Sequence, residues 1–191
     1  MSSLTQQSKL SVTLTSIDGV LIIEPKVFGD ERGWFTESFN AMDFSIATGL
    51  HVDFVQDNHS FSRKGTLRGM HYQLEKTQGK LVRVVSGSVF DVAVDLRQQS
   101  PTFGKWFGVE LSAQNHKQLW IPAGLAHGFL VLSDEAEFLY KTTDYYHPQS
   151  EVCLAWNDPT VNIQWPLGSG VTPNLNAKDL AGLSWGEAPK F

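Results

Sequence analysis

Cysteine is nearly missing from this chain. Cys153 is the only one in 191 residues, which excludes a disulfide framework and a zinc site built of thiolates. Charge is sparse too, at 18% of residues, and with 41% hydrophobic and 12% aromatic residues the chain is neither a disordered acidic segment nor a coiled coil. No apolar run reaches membrane-spanning length and no secretory leader is legible, so the expectation is a reduced, soluble, cytoplasmic protein without membrane contact. Twenty acidic against 15 basic residues give a net charge of −5, which argues against a generic nucleic-acid binder. It does not exclude an anionic small molecule, because a few local cations build such a site.

What the chain does have is 16 glycines, 12 phenylalanines and six tryptophans, the makings of a β-rich body with tight turns. Met1 to Ser8 are polar and read as a frayed tail ending by residue 10. Short β-type runs begin at Ile17, over residues 19–25 and 33–39. One short helix follows, with Asn40 as its cap, Asp43 three residues on and Gly49 as its stop. Residues 80–85 and 89–96 flank Ser86-Gly87-Ser88, which reads as a hairpin connection. Further strands are expected over residues 106–111, 118–121, 127–132, 137–145 and 161–165. Strands at such short, regular intervals indicate an all-β sandwich or barrel. There is no repeat or linker. A single domain over residues 1–191 is expected, with residues 166–191 wrapping over the body.

Residues 89–96 alternate. Phe90, Val92, Val94 and Leu96 share one face, and Val89, Asp91, Ala93 and Asp95 the other. Two acids on one face require partners or a wet cavity. For Asp95, a turn ion pair with Arg97 is as good a reading as function.

Three segments crowd polar groups between apolar strands: residues 56–60, residues 67–73 with Gln78-Gly79-Lys80, and residues 121–129. A lone His71 is more often structural than a base. Arg68, Gln73 and Lys80 nearby change that weighting, because a base beside fixed cations suits proton abstraction next to a carbonyl, the cations stabilising the enolate. Pro122, Gly124 and His127 resemble the second motif of the cupin superfamily, a double-sheet jelly roll. Many cupins hold a metal through a His-x-His pair, but here Gln73 follows His71, which favours a metal-free member. Tyr145 and Tyr146 read as strand aromatics filling a barrel, while the facing of Tyr140 is open. Trp120, Trp156 and Trp165 read as packing, and His51, His59, His116 and His147 as surface or turn residues.

Ten motifs in order then carry a resemblance to a family. They include Asp30-Glu-Arg-Gly-Trp-Phe-Thr-Glu37, Gln56-Asp-Asn-His-Ser60, Leu67-Arg-Gly-Met-His-Tyr-Gln73, Gln78-Gly-Lys-Leu-Val-Arg83 and Asp91-Val-Ala-Val-Asp-Leu-Arg97. Downstream are Ser100-Pro-Thr-Phe-Gly104, Gln118-Leu-Trp-Ile-Pro122, Ala126-His-Gly-Phe129, Tyr140-Lys-Thr-Thr-Asp-Tyr-Tyr146 and Trp156-Asn-Asp-Pro159. Over about residues 17–182 the chain resembles the dTDP-4-dehydrorhamnose 3,5-epimerase family. The resemblance implies a cupin jelly roll, an extended N-terminal arm and a homodimer, with no metal and no cofactor. It implies inversion of C3 and C5 of a dTDP-4-keto-6-deoxy sugar on the route to dTDP-L-rhamnose. By similarity His71 is the base, Tyr140 the acid and Asp179 the partner of the base, with Lys80 and Asp91 in the sugar pocket. Arg32, Glu37, Gln56, Asn58, Arg68, His127, Glu151 and Lys178 match substrate-contacting positions. Without that match, Arg32 and Glu37 would read as a surface turn pair. A single-centre epimerase of the same family, a metal-dependent cupin isomerase or dioxygenase, and a non-catalytic sugar-nucleotide binder are the alternatives.

Overall fold

Alternating apolar side chains leave each strand with one face to bury, and two antiparallel sheets packed face to face satisfy that demand. The computed structural model describes residues 9–168 and 170–191, so the expected tail over residues 1–8 lies outside the described residues. The strands are β1 (Leu10–Leu14), β2 (Leu21–Pro25), β3 (Val27–Asp30), β4 (Gly33–Thr36), β5 (Gln56–Arg63), β6 (Leu67–Gln73) and β7 (Lys80–Ser86). They continue as β8 (Ser88–Asp95), β9 (Trp106–Ser112), β10 (Gln118–Ile121), β11 (Leu125–Val131), β12 (Glu135–Thr142) and β13 (Glu151–Cys153). Two helices, α1 (Ala41–Thr48) and α2 (Ala177–Leu180), complete the elements used below. A six-stranded sheet runs β1-β2-β10-β7-β12-β5, a five-stranded sheet runs β13-β6-β11-β8-β9, and β3 and β4 form a separate ribbon.

Three apolar layers result. Between the sheets lie Val82, Val84, Leu119, Ile121 and Phe138 from one side and Val89, Ala93, Leu111, Phe129 and Val131 from the other. The outer face of the five-stranded sheet (Met70, Val92, Val94, Leu96) is covered by Val161, Ile163, Trp165, Trp185 and Phe191. On the outer face of the six-stranded sheet, Leu21, Ile23, Leu81 and Trp120 are covered by Phe44 of α1 with Phe39 and Phe54. The expected parity of β8 is therefore real, one face in each of two cores. The helix also forms where expected. Asn40 Oδ1 accepts from the amides of Met42 and Asp43, and Gly49 stops α1 at a φ of 73°.

Four expectations are corrected. Ser86-Gly87-Ser88 is not a hairpin: β7 pairs with β10 and β12, whereas β8 pairs with β11 and β9, so the segment carries the chain from one sheet to the other. Gly87 makes that corner with a φ of 73°, where a Cβ would sit 2.0 Å from Glu135 O. Residues 161–165 form no strand. Val161 and Ile163 are buried and Trp165 packs beside them, which explains the period of two, but Asn162 between them turns the backbone at a left-handed φ of 53° and the segment joins no ladder. The polar segments at residues 56–60 and 67–73 lie within strands, β5 and β6, and not between them. Leu10, expected in the tail, opens β1 opposite Pro25.

Asp95 is wholly buried and accepts from Arg97, Ser100 and Thr102, with Arg97 Nε at 2.9 Å. Burial alone would raise its pKa, but these bonds outweigh it and hold the carboxyl at about 2. The turn reading of Asp95 is the one the structure supports, while Asp91 on the same strand face pairs with His127.

Candidate active site

One end of the space between the sheets is lined by polar side chains. A cavity of about 200 Å³ opens there, with Arg68, His71 and Gln73 of β6, Lys80 of β7 and His127 of β11 in its walls. Tyr140 of β12 and Glu151 of β13 add to the polar lining, and Leu125, Phe129 and Phe138 supply an apolar wall. The polar side chains of β6 are thus accounted for by the cavity they line, to which β5 adds Ser60.

His71 and His127 sit opposite one another in the β6–β11 ladder. Glycine at 69 and 128 lets those two backbones close up: a Cβ on Gly69 would fall 2.5 Å from Gly128 Cα. His71 Nε2 donates to Asp179 Oδ1 at 2.6 Å. Asp179 is 1% exposed and arrives from α2, whose N-cap Asn176 accepts from the Asp179 amide. With Nε2 committed to this carboxylate, Nδ1 is the ring nitrogen without a partner among the described residues. A base oriented by a buried acceptor follows the same logic as other histidine–carboxylate pairs.

A second histidine–carboxylate pair lies deeper. His127 Nε2 bonds both oxygens of Asp91, at 2.9 and 3.1 Å. Burial lowers the His127 pKa against the pull of Asp91, and burial raises that of Asp91 against His127 and Lys80. Lys80 is buried beside them. Burial pushes its pKa down to about 8, with Asp91 and Glu151 opposing. Tyr140 is raised above the usual phenol range, by burial first and then by Glu151, so it is a proton-carrying acid at neutral pH. It stands on the six-stranded sheet, and His71 on the five-stranded sheet, so the two enter the cavity from opposite walls.

Glu151 joins the mouth to the floor. It accepts from the Tyr146 hydroxyl at 2.7 Å and is ion-paired to Lys178, the residue before Asp179. Burial would raise Glu151, but Lys178 and Tyr146 hold it low. Tyr145 and Tyr146 do not fill a barrel. Both are more than half exposed beyond the end of β12, and Tyr146 lines the cavity. The signal against barrel filling was His147-Pro148, since a proline ends a ladder. Gln73 stands where a metal-holding cupin has its second histidine. Its Nε2 donates to the carbonyls of Lys76 and Tyr145, and its Oε1 accepts from the His147 amide. The amide is spent on clamping the loop that carries Tyr146, so the donor set of a metal-holding cupin is not reproduced at this position.

The remaining expected residues divide in two. Arg68 lies at the mouth, its Nε on Ser62 Oγ at 2.9 Å, and Asn58 stands directly across the ladder from Tyr140. Gln56 bonds Asn58 and accepts from the Tyr146 amide. Arg32 and Glu37 are elsewhere. Arg32 sits at the tip of the β3–β4 ribbon, paired with Asp30, while Glu37 pairs with Lys9 and Asn40. Within one chain neither reaches the cavity lining.

The family model described as dTDP-4-dehydrorhamnose 3,5-epimerase matches residues 14–187 of this chain. An enzyme of that name from Shigella flexneri is 59% identical over 183 residues, covering 95% of this chain and 99% of its own length. The crystal structure of dTDP-6-deoxy-D-glucose-3,5-epimerase from Legionella pneumophila, in complex with dTDP-4-keto-L-rhamnose, is 55% identical with a TM-score of 0.87 over 91% of both chains. A 3'-monoepimerase from Streptomyces bikiniensis in complex with dTDP-quinovose is 34% identical, with a TM-score of 0.82 over 89% of this chain and 85% of its own.

Proposed function

The chain belongs to the dTDP-4-dehydrorhamnose 3,5-epimerase family, and from that membership we propose how its cavity carries out the reaction. The fold is the cupin-like jelly roll, and the activity is that of an isomerase of dTDP-L-rhamnose biosynthesis. No helix among the described residues is long and apolar enough to cross a membrane.

C3 and C5 of the sugar both flank the C4 ketone, so one carbonyl acidifies both hydrogens. Inversion takes a proton from one face of the ring and returns one to the other. His71 removes the hydrogen through Nδ1, and the resulting imidazolium is stabilised by Asp179 on Nε2. The C–H electron pair moves into the C4 oxygen, where the Lys80 ammonium steadies the enolate while Asp91 and His127 hold its surroundings. Tyr140 donates its phenolic proton to carbon from the facing wall. The observation that carries this reading is the placement of an oriented base and a protonated phenol on opposite sheets of one cavity. Arg68 and Glu151 in the cavity lining, with Lys178 paired to Glu151 and Gln56 bonded to Asn58 and to the Tyr146 amide, receive the nucleotide and diphosphate. The proposed compartment is the cytoplasm.

Turnover in deuterium oxide tests the two-centre assignment. Two non-exchanged ring positions, C3 and C5, are expected to acquire deuterium; label at one position only assigns the chain to the single-centre relatives, of which the Streptomyces neighbour is one.

Arg32 and Glu37 find their role in a homodimer. The ribbon that carries Arg32 leaves Phe28, Trp34 and Phe35 between 45% and 68% exposed, an apolar arm suited to a second copy. In that assembly the arm delivers Arg32 and Glu37 to the partner's cavity. A sedimentation mass of two chains at assay concentration is expected, and a mass of one chain overturns the arrangement.

A further inference from the structure

Cys153 takes no part in the chemistry above, yet its position is unusual. It pairs with His71 across the β6–β13 ladder, and its Sγ lies 4.0 Å from Asp179 Oδ1. One imidazole nitrogen, one sulfur and one carboxylate oxygen thus lie within 4.8 Å of one another, with Cys153 and Asp179 buried and His71 lining the cavity. We propose that His71, Cys153 and Asp179 form an inhibitory site for a thiophilic divalent cation, zinc above all, behind the catalytic base.

The donor set is the argument. Zinc binds nitrogen, sulfur and oxygen at about 2.0–2.3 Å, so tetrahedral ligands stand roughly 3.3–3.8 Å apart. An ion inserted here pushes the 2.6 Å His71–Asp179 contact open and draws the 4.0 Å sulfur–carboxylate contact in, each by less than about an ångström on those bond lengths, while the nitrogen–sulfur pair, within 4.8 Å, closes by up to about 1.3 Å. Three protein ligands leave a fourth position for water or substrate, the pattern of open zinc sites. The site is not the metal centre of other cupins, whose position Gln73 abandons.

Proton balance explains the inhibition, which rests on His71 acting as base. The metal takes the Nε2 lone pair, so the single proton of the neutral imidazole resides on Nδ1, where the substrate hydrogen should go. Cys153 releases its thiol proton to solvent on binding. The base is then masked without any change of its oxidation state.

The test uses the whole protein in thiol-free, chelator-free buffer, with zinc chloride as inhibitor and cobalt chloride as spectroscopic probe. Micromolar zinc is expected to stop turnover, and excess chelator to restore it. Cobalt is expected to give a thiolate-to-metal charge-transfer band that zinc bleaches. Cys153→Ser and Cys153→Val, first shown to turn over without metal, are expected to lose the band and to need at least about tenfold more zinc, since even outer partners of a metal site are worth that much. Equal zinc sensitivity in both variants, or no band in the parent protein, overturns the site. A Cys153-dependent band without inhibition overturns the masking and counts against His71 as base, leaving the metal site itself standing.

Discussion

His71→Asn is expected to lower turnover by about 10⁴-fold, the upper range for a positioned general base. Asparagine removes the base while keeping a polar group where Nδ1 stood; it is too short to replace Nε2 against Asp179, which is 1% exposed and loses its donor, so binding is measured beside turnover. Deuterium entry at C3 and C5 should fall in parallel with turnover, since both begin with the same proton transfer. Binding of dTDP should stay within about threefold of the parent if, as proposed, His71 meets the sugar while Arg68 and Glu151 of the same lining meet the nucleotide end. Isothermal titration with dTDP and exchange followed by NMR measure the two quantities separately. Substantial exchange in this variant would remove His71 from the mechanism; a collapse of dTDP binding would show that the histidine shapes the pocket and does not act in it.

Tyr140→Phe is expected to separate the two halves of the reaction. Phenylalanine keeps the ring that packs near Phe138 but has no proton to give. Abstraction by His71 still proceeds, so exchange is expected to persist within a few-fold, while formation of inverted product falls by about 10²–10³. Equal losses in exchange and product would argue against Tyr140 as the acid. The pH profile adds a second readout. Tyr140 is raised above the usual phenol range, so its own ionisation does not limit the parent enzyme near neutrality. Lys80, lowered to about 8 by burial, does: its ammonium is present below that pH and is lost as pH rises through it. In the parent, kcat/KM, which reports the free enzyme, is expected to fall above pH 8. The same limb should survive in Tyr140→Phe, because it belongs to Lys80.

His71, Lys80 and Tyr140 stood out through motifs, and the cavity gathers all three. Tyr146 did not stand out, because an aromatic pair after a strand looks like more strand. Gln73 was legible only as a missing histidine, and its clamp on the Tyr146 loop depends on carbonyls and an amide supplied by other segments. Cys153 carried no signal as a lone cysteine, and acquires one from the residues beside it.

Local energetics are written in short windows, and there the amino-acid sequence was sufficient. The alternation of β8, the Asn40 cap and Gly49 stop of α1, and the Asp95–Arg97 turn all depend on residues within a few positions of one another. Long-range pairing is decided by which faces and edges complement each other after collapse, and no window contains that. Tertiary structure alone sent Ser86-Gly87-Ser88 across the sandwich and made strands of the polar segments at residues 56–60 and 67–73. It joined His71 to Asp179 across 108 positions of chain and left Arg32 on an exposed ribbon, away from its own pocket.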